Sequence, residues 1–229
     1  MDPRLLVLGG DGGVGRAVVT ACNADGWNGL SADVRPSSPD TFNLDVTNAA
    51  QVAKFFREQD PFDSVVYAAG RNGEAGISNI NFTRTAKDIM DVNYHGVVAA
   101  LQAWARTTVK NPGLSPKHFV VVSSNSAHVA RSRSSAYCAS KAAVSMLVRC
   151  VARELAFNTF TIWAVEPGFI EDTPMSTELI RRLEGVPAHR IPGERTLTAA
   201  SLAAYIMKGI NGDFTWLNGT TLRIDGGEQ

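Results

Sequence analysis

Apolar positions along the chain gather into short continuous runs, and between the runs they recur at helical spacing. Residues 5–8, Leu-Leu-Val-Leu, form the first run and are stopped by glycines; Val14, Ala17, Val18 and Ala21 then repeat every three or four residues through Asn23. That pattern predicts a strand, a tight turn and a helix. After Asp25-Gly26 a second strand is expected over 30–33 and a short third over 43–46, with Pro36 and Pro39 between them. A parallel crossover usually takes a dozen or more residues and often a helix, so the short, proline-containing stretch 34–43 is expected to be a loop.

The alternation continues to the end. A helix is expected over 49–59, a buried strand over 63–69 ending at Gly70, a helix from about 88 to 109, a loop over 111–116, and a strand over 119–122. A helix from about 135 to 157 and a strand over 161–165, stopped by Pro167-Gly168, follow. The polar stretch 171–198 reads as a substrate lid, ahead of a helix over 199–210 and a last strand over 220–224. Buried strands alternating with helices predict an α/β fold: one Rossmann-type, doubly wound parallel sheet of about seven strands with helices on both faces. A single domain over 1–229 is expected, since neither linker nor repeat divides the sequence.

Composition narrows the possibilities. Apolar residues make up 45% and charged residues 19%, an ordinary globular balance. Lys plus Arg and Asp plus Glu each number 22, so no global basic field draws nucleic acid or anionic lipid, and neither partner is expected. No apolar run reaches the roughly 20 residues of a spanning helix, and the start lacks a secretory stretch; a soluble cytoplasmic protein is expected. Cys22, Cys138 and Cys150 have unrelated spacings, and His95, His118, His128 and His189 are scattered, so disulfides and metal sites are not expected. Each histidine is expected at the surface or behind the site.

Gly9-Gly10-Asp11-Gly12-Gly13-Val14-Gly15 lies between the first strand and first helix, where a dinucleotide pyrophosphate rests on backbone amides. The glycines fit G-x-x-x-G-x-G through Gly9, Gly13 and Gly15, and equally G-x-x-G-x-x-G through Gly9, Gly12 and Gly15. Asp33, at the end of the second strand, suits adenosine ribose hydroxyls and would repel a 2′-phosphate, as would Asp11. NAD is therefore favoured. Arg35, two residues on, keeps NADP open.

Tyr137 and Lys141 stand four residues apart in a segment expected to be helical, so both leave the same face. A nearby ammonium lowers a phenol's pKa toward working pH, which would let Tyr137 exchange a proton with a carbonyl or alcohol oxygen. Ser124 closes a strongly apolar strand and could orient that oxygen, because ligands gather at the carboxyl ends of strands in such sheets.

With these residues the chain resembles the short-chain dehydrogenase/reductase family, in its small single-domain branch, nearly end to end. Leu8 takes the place of the threonine in that family's T-G-x-x-x-G-x-G turn, while Gly9, Gly13 and Gly15 match. Asp45-Val46 resembles its adenine-contacting pair, and Tyr67-Ala68-Ala69-Gly70 its Asn-Asn-Ala-Gly strand end. The resemblance implies cofactor contacts at Gly9, Asp11, Gly13, Val14, Gly15, Asp33, Asp45, Val46, Ala68, Ala69 and Gly70, as well as at Tyr137 and Lys141. It implies a catalytic set of Asn93, in Val92-Asn93-Tyr94-His95-Gly96, with Ser124, Tyr137 and Lys141, the asparagine holding a water relay to the lysine.

Pro167-Gly168-Phe169-Ile170 resembles the family's segment at the nicotinamide, with Ile170 at the carboxamide and Thr173 on the phosphate side, one residue later than usual. Trp163 stands where an asparagine is common and Glu166 is an unusual charge beside the proline; the sequence explains neither. The tail through Gly227 resembles the closing strand and turn of a homotetramer or homodimer.

The expected activity is hydride transfer between NAD(P)(H) and the alcohol or ketone carbon of a small molecule, with Tyr137 as acid/base. Arg131 and Arg133 could meet a carboxylate, a phosphate or an acyl carrier, so a 3-oxoacyl-thioester reductase using NADPH is an alternative. Sugar-nucleotide epimerases share the Tyr/Lys pair but need a longer substrate domain. A cofactor-sensing protein without turnover would have lost a catalytic residue, and none is lost here.

Overall fold

In the computed structural model the residues described are 2–110, 117–155, 160–183, 191–212 and 216–228. Seven strands form one wholly parallel sheet: β1 (Arg4–Leu8), β2 (Asn28–Asp33), β3 (Phe42–Asn43), β4 (Ser64–Tyr67), β5 (Lys117–Val122), β6 (Phe160–Pro167) and β7 (Thr221–Ile224). Their order is β3-β2-β1-β4-β5-β6-β7. The succession reverses between β1 and β4, which opens a crevice at the carboxyl ends of those strands, the place where doubly wound sheets bind ligands.

The central strands are apolar on both faces because both are covered. Leu5, Val7, Val66, Val120, Trp163 and Val165 form one core with α1 (Gly13–Ala24) and α7 (Ala199–Ile210). Leu6, Leu8, Val65, Tyr67, Phe119 and Val121 form the other with α2 (Ala49–Glu58), α4 (Gly96–Lys110) and α5 (Ser135–Glu154). Continuous runs such as 5–8 are thus split residue by residue between two cores, as the pleat requires.

The predicted order of elements holds, including the loop between β2 and β3, with four differences. The third strand is displaced to Phe42–Asn43, because Asp45 turns the chain: its Oδ1 accepts the Thr47 amide at 2.9 Å and hydroxyl at 2.7 Å, and Asn48 then caps α2. The helix expected from about 88 begins earlier, as α3 (Phe82–Met90), and passes through a π-helical turn, Asp91–His95, into α4. The expected lid holds a helix, α6 (Pro174–Leu183), while its residues 184–190 lie outside those described. The helix expected to reach 157 ends at Glu154; residues 156–159 are likewise outside.

Candidate functional site

A cleft of about 1240 Å³ runs over the carboxyl ends of the strands. Its floor at one end is the glycine turn. Gly9 adopts φ +79°, and a Cβ there would stand 2.5 Å from the Ala69 amide nitrogen, so only glycine lets the turn lie against the end of β4. Gly12 is the extended N-cap of α1 and offers no side-chain acceptor; the first turn carries no acid. The amides at this helix end are therefore open to an anion, and Gly12, Gly13 and Val14 line the cleft, an arrangement that fits a pyrophosphate. Thr173 and Pro174 close against Gly13, where a Cβ would meet Thr173 Cγ2 at 2.8 Å.

Beyond the turn, Asp33 Oδ2 accepts the Asp11 amide at 3.3 Å and Oδ1 the Arg35 amide at 3.0 Å. Asp33 and Arg35 both line the cleft, as do Asp45, Val46, Ala68, Ala69 and Gly70. Asp11 turns away from it. Its carboxylate accepts Thr41 Oγ1 at 3.1 Å, Ser31 Oγ at 3.3 Å and the Ser37 amide, tying the glycine turn to the β2–β3 loop. Burial works to raise this carboxyl's pKa, but those hydrogen bonds outweigh it and hold the group below its ordinary value.

At the other end lie Ser124, after β5, and Tyr137 and Lys141 on α5, all lining the cleft. The helix does place Tyr137 and Lys141 on one face: Lys141 Nζ is 5.7 Å from the Tyr137 ring centroid and donates to the Val122 carbonyl at 2.9 Å. Burial brings Lys141 down to about 8. The phenol is not brought down toward working pH as expected: burial dominates and leaves Tyr137 above its ordinary value, against the hydrogen bond with Ser124 and the charge of Arg131. In this arrangement Tyr137 is a neutral phenol at neutral pH.

Asn93 stands behind the cleft wall, 1% exposed, in the π-helical turn. Its Nδ2 donates to the Arg71 carbonyl and to Ser140 Oγ, each at 3.0 Å, and its Oδ1 accepts the Arg71 amide at 2.8 Å. It thus ties the strand end at Gly70 to the helix bearing Tyr137 and Lys141. The turn has its own support. Gly96 N–H reaches back to Asp91, five residues away, and the Val92 carbonyl accepts the Tyr67 hydroxyl at 2.6 Å.

A Cβ at Gly96 would lie 2.3 Å from that hydroxyl, so the two positions are coupled. Gly96→Ala is expected to destabilise the protein by about 1–3 kcal/mol, and by clearly less in a Tyr67→Phe background, where the clashing atom is gone. Denaturant unfolding of the two single variants and the double variant measures that coupling.

Pro167, Gly168, Ile170 and Thr173 line the cleft. Of the residues expected to be catalytic or to contact the cofactor, Asp11, Gly15 and Asn93 are the ones that do not; Gly15 packs behind the turn, against the Gly9 carbonyl.

The two residues the sequence left unexplained now have surroundings. Glu166, 1% exposed, accepts Ser145 Oγ at 2.6 Å and bonds His128 Nε2 at 2.9 Å, bracing α5 against the segment after Ser124. Trp163 fills the core between β6 and α7, its ring against Gly209, with its Nε1 unpartnered among the described residues. His118 is buried rather than superficial and is held down to about 4 by that burial; His189 lies outside the described residues. Glu228, which lines the cleft and pairs with Arg131, carries no signal in the sequence beyond being an acid after two glycines.

Comparison with known proteins agrees with this geometry. Residues 4–184 match the family described as short chain dehydrogenase. The 3-oxoacyl-(acyl-carrier-protein) reductase MabA of Mycobacterium tuberculosis is 27% identical over 97% of this chain and 91% of its own. The 2-(R)-hydroxypropyl-CoM dehydrogenase of Xanthobacter autotrophicus is 30% identical over 87% of this chain and 80% of its own. Among solved structures, the ligand-free aldohexose dehydrogenase of Thermoplasma acidophilum superimposes with a TM-score of 0.88 at 24% identity, covering 99% of this chain and 93% of the other, which shows the shared fold. The chain therefore belongs to the short chain dehydrogenase family and is an NAD(P)-dependent oxidoreductase acting on hydroxyl or keto groups.

Proposed function

We propose that the cleft takes NAD(H) in preference to NADP(H), and that Tyr137 exchanges the proton with the oxygen of a small carbonyl or alcohol substrate. The nicotinamide cofactor, when bound, supplies or accepts the hydride. The glycine turn and the open end of α1 hold its pyrophosphate, with Thr173 against Gly13 on the phosphate side; Ile170 borders its nicotinamide end. Ser124 hydrogen-bonds the substrate oxygen and Tyr137 donates to it as the carbon is reduced. Lys141 stabilises the phenolate left behind, and Asn93 keeps the helix carrying both residues in register with the strand end.

The observation that carries this reading is the convergence of Ser124, Tyr137 and Lys141 at one end of a cleft whose other end is an uncapped, glycine-rich helix terminus. The preference for NAD rests on Asp33, whose carboxylate lines the cleft and is fixed by two backbone amides. Titration with NADH and then NADPH, followed by nicotinamide fluorescence, tests it. NADH is expected to bind at least about tenfold more tightly, and Asp33→Ala to erase most of that difference. Equal affinities in the native protein, or unchanged selectivity in the variant, would discard the role of Asp33 and transfer attention to Arg35.

The same reading has a single domain whose segment 171–198 covers the substrate, in a cytoplasmic homotetramer or homodimer. No helix among the described residues is long and apolar enough to cross a membrane. A second reading, a 3-oxoacyl-thioester reductase using NADPH, is favoured by the relatives named MabA; reduction of acetoacetyl-CoA with NADPH in place of NADH would establish it.

A further inference from the structure

Arg131 leaves the loop between Ser124 and α5 and lines the same end of the cleft as Tyr137. Its guanidinium donates to Glu228 Oε1 at 2.7 Å and Asn125 Oδ1 at 3.2 Å, and its Nε to Ser126 Oγ at 3.2 Å. Glu228 is 2% exposed, and its other oxygen accepts Asn125 Nδ2 at 3.0 Å and the Phe169 amide at 3.2 Å. One carboxylate from the segment after β7 thereby joins the turn beside Ser124, the loop before Tyr137 and the segment leading to Ile170. Gly168 leaves room for it, since a Cβ there would stand 2.9 Å from Glu228 Oε2.

A cation in this wall, partly withdrawn from water, would attract a substrate anion, and an unpaired carboxylate as deep as Glu228 would repel one. Together they cancel. Of the other charged side chains that line this end, Arg71, Glu74 and Arg133 are exposed, so water screens them far more than it screens this pair, while buried Lys141 is a cation common to the native protein and to every variant compared below and leaves their relative affinities unchanged. We propose that Glu228 is a specificity-determining residue: by neutralising Arg131 it makes this wall select substrates that are uncharged where they lie beside Ser124, over their anionic counterparts. The proposal rests on reading the cleft as the cofactor and carbonyl site, and it adds to that reading the charge class of the substrate.

A matched pair of small amides that hydride transfer does not consume provides the test: malonamide, which is neutral, and malonamate, its anionic counterpart. Their dissociation constants from the protein–NADH complex are measured by nicotinamide fluorescence. In Glu228→Gln, which keeps an acceptor for the surrounding donors but removes the charge, affinity for malonamate relative to malonamide is expected to rise about tenfold. In Arg131→Gln the ratio is expected to fall by a similar factor, and in the double variant to return to the native value, a cycle that general loosening of the fold would not produce. Should Glu228→Gln fail to fold, Arg131→Gln and the double variant carry the test. An unchanged ratio in the foldable single variants, or malonamate failing to bind Glu228→Gln, overturns the proposal. Failure of the native protein to bind NADH overturns the underlying reading and this one with it; NADH binding with an unmoved ratio overturns this one alone.

Discussion

Replacing Tyr137 by phenylalanine is expected to lower turnover by about 10²–10⁴-fold while leaving NADH affinity nearly unchanged, because the ring stays and only the proton carrier is lost. The structure adds a direction. Burial lifts the phenol above its ordinary value, and the same burial brings Lys141 down to about 8. As pH rises from neutrality in the cofactor-free protein, the lysine loses its proton before the tyrosine does. Near neutrality Tyr137 is protonated and Lys141 charged, the pairing that suits donation to a carbonyl and stabilises the phenolate left behind.

Carbonyl reduction is therefore expected to be strongest below about pH 8 and to decline as pH rises through it, because Lys141 loses its charge there while Tyr137 becomes still harder to ionise. Rate against pH for native protein and for Tyr137→Phe, alongside NADH titrations of both, supplies the check. Retained turnover in the variant would remove Tyr137 from the chemistry. A reduction rate rising through pH 8 would remove Lys141 from the charge-stabilising role.

Sequence periodicity located most elements because their cause is local. Runs such as Leu5 to Leu8 exist because both faces of β1 are covered, and the helix spacing of α1 and α7 follows from packing on that sheet. The π-helical turn at Asp91–His95 was hidden for the opposite reason. The helical spacing read from about 88 to 109 continues through it, and the support for the irregular backbone, the Tyr67 hydroxyl, comes from a strand some 25 residues earlier. The truncation of β3 depends on how Asp45 turns the chain, which strand propensity does not register.

The candidate site was legible where it depends on short spacing. Tyr137 and Lys141 meet because four residues make about one helical turn, and the glycine turn reads directly as strand, turn, helix. Asp11 shows the limit: position in the motif suggested a cofactor contact, whereas its carboxylate is engaged by Ser31 of β2 and by Ser37 and Thr41 of the loop that follows. Arg131 was visible as a pocket arginine, but its partner Glu228 lies 97 residues away, and no periodicity links the two. The charge that the substrate meets is thus a tertiary property.

Gly15→Ala is the second change expected to have a large effect, and it separates the glycines that shape the turn from those that merely occupy loops. A Cβ at Gly15 would lie 2.1 Å from the Gly9 carbonyl oxygen and 2.8 Å from Gly10 Cα, both backbone atoms with no side chain to move aside. Helix propensity favours alanine over glycine by at most about 1 kcal/mol, the value for a helix interior, and Gly15 stands in the first turn of α1. Overpacking against fixed backbone costs about 1–3 kcal/mol, so the clash wins and the Gly9–Gly10 turn must shift. That turn is held by the Ala32 carbonyl, which accepts the Gly9 and Gly10 amides at 2.8 and 3.2 Å, and it shapes the approach to the open end of α1. A displacement of even an ångström there misaligns the pyrophosphate amides, and NADH affinity is expected to fall about 100-fold or more. Gly76→Ala is the control, since a Cβ there meets nothing within 4 Å and its backbone is not left-handed; NADH binding and melting temperature should both stay near native. Fluorescence titration and thermal unfolding of the two variants decide the matter: native-like NADH affinity in Gly15→Ala would mean that the turn is not the cofactor's phosphate cradle.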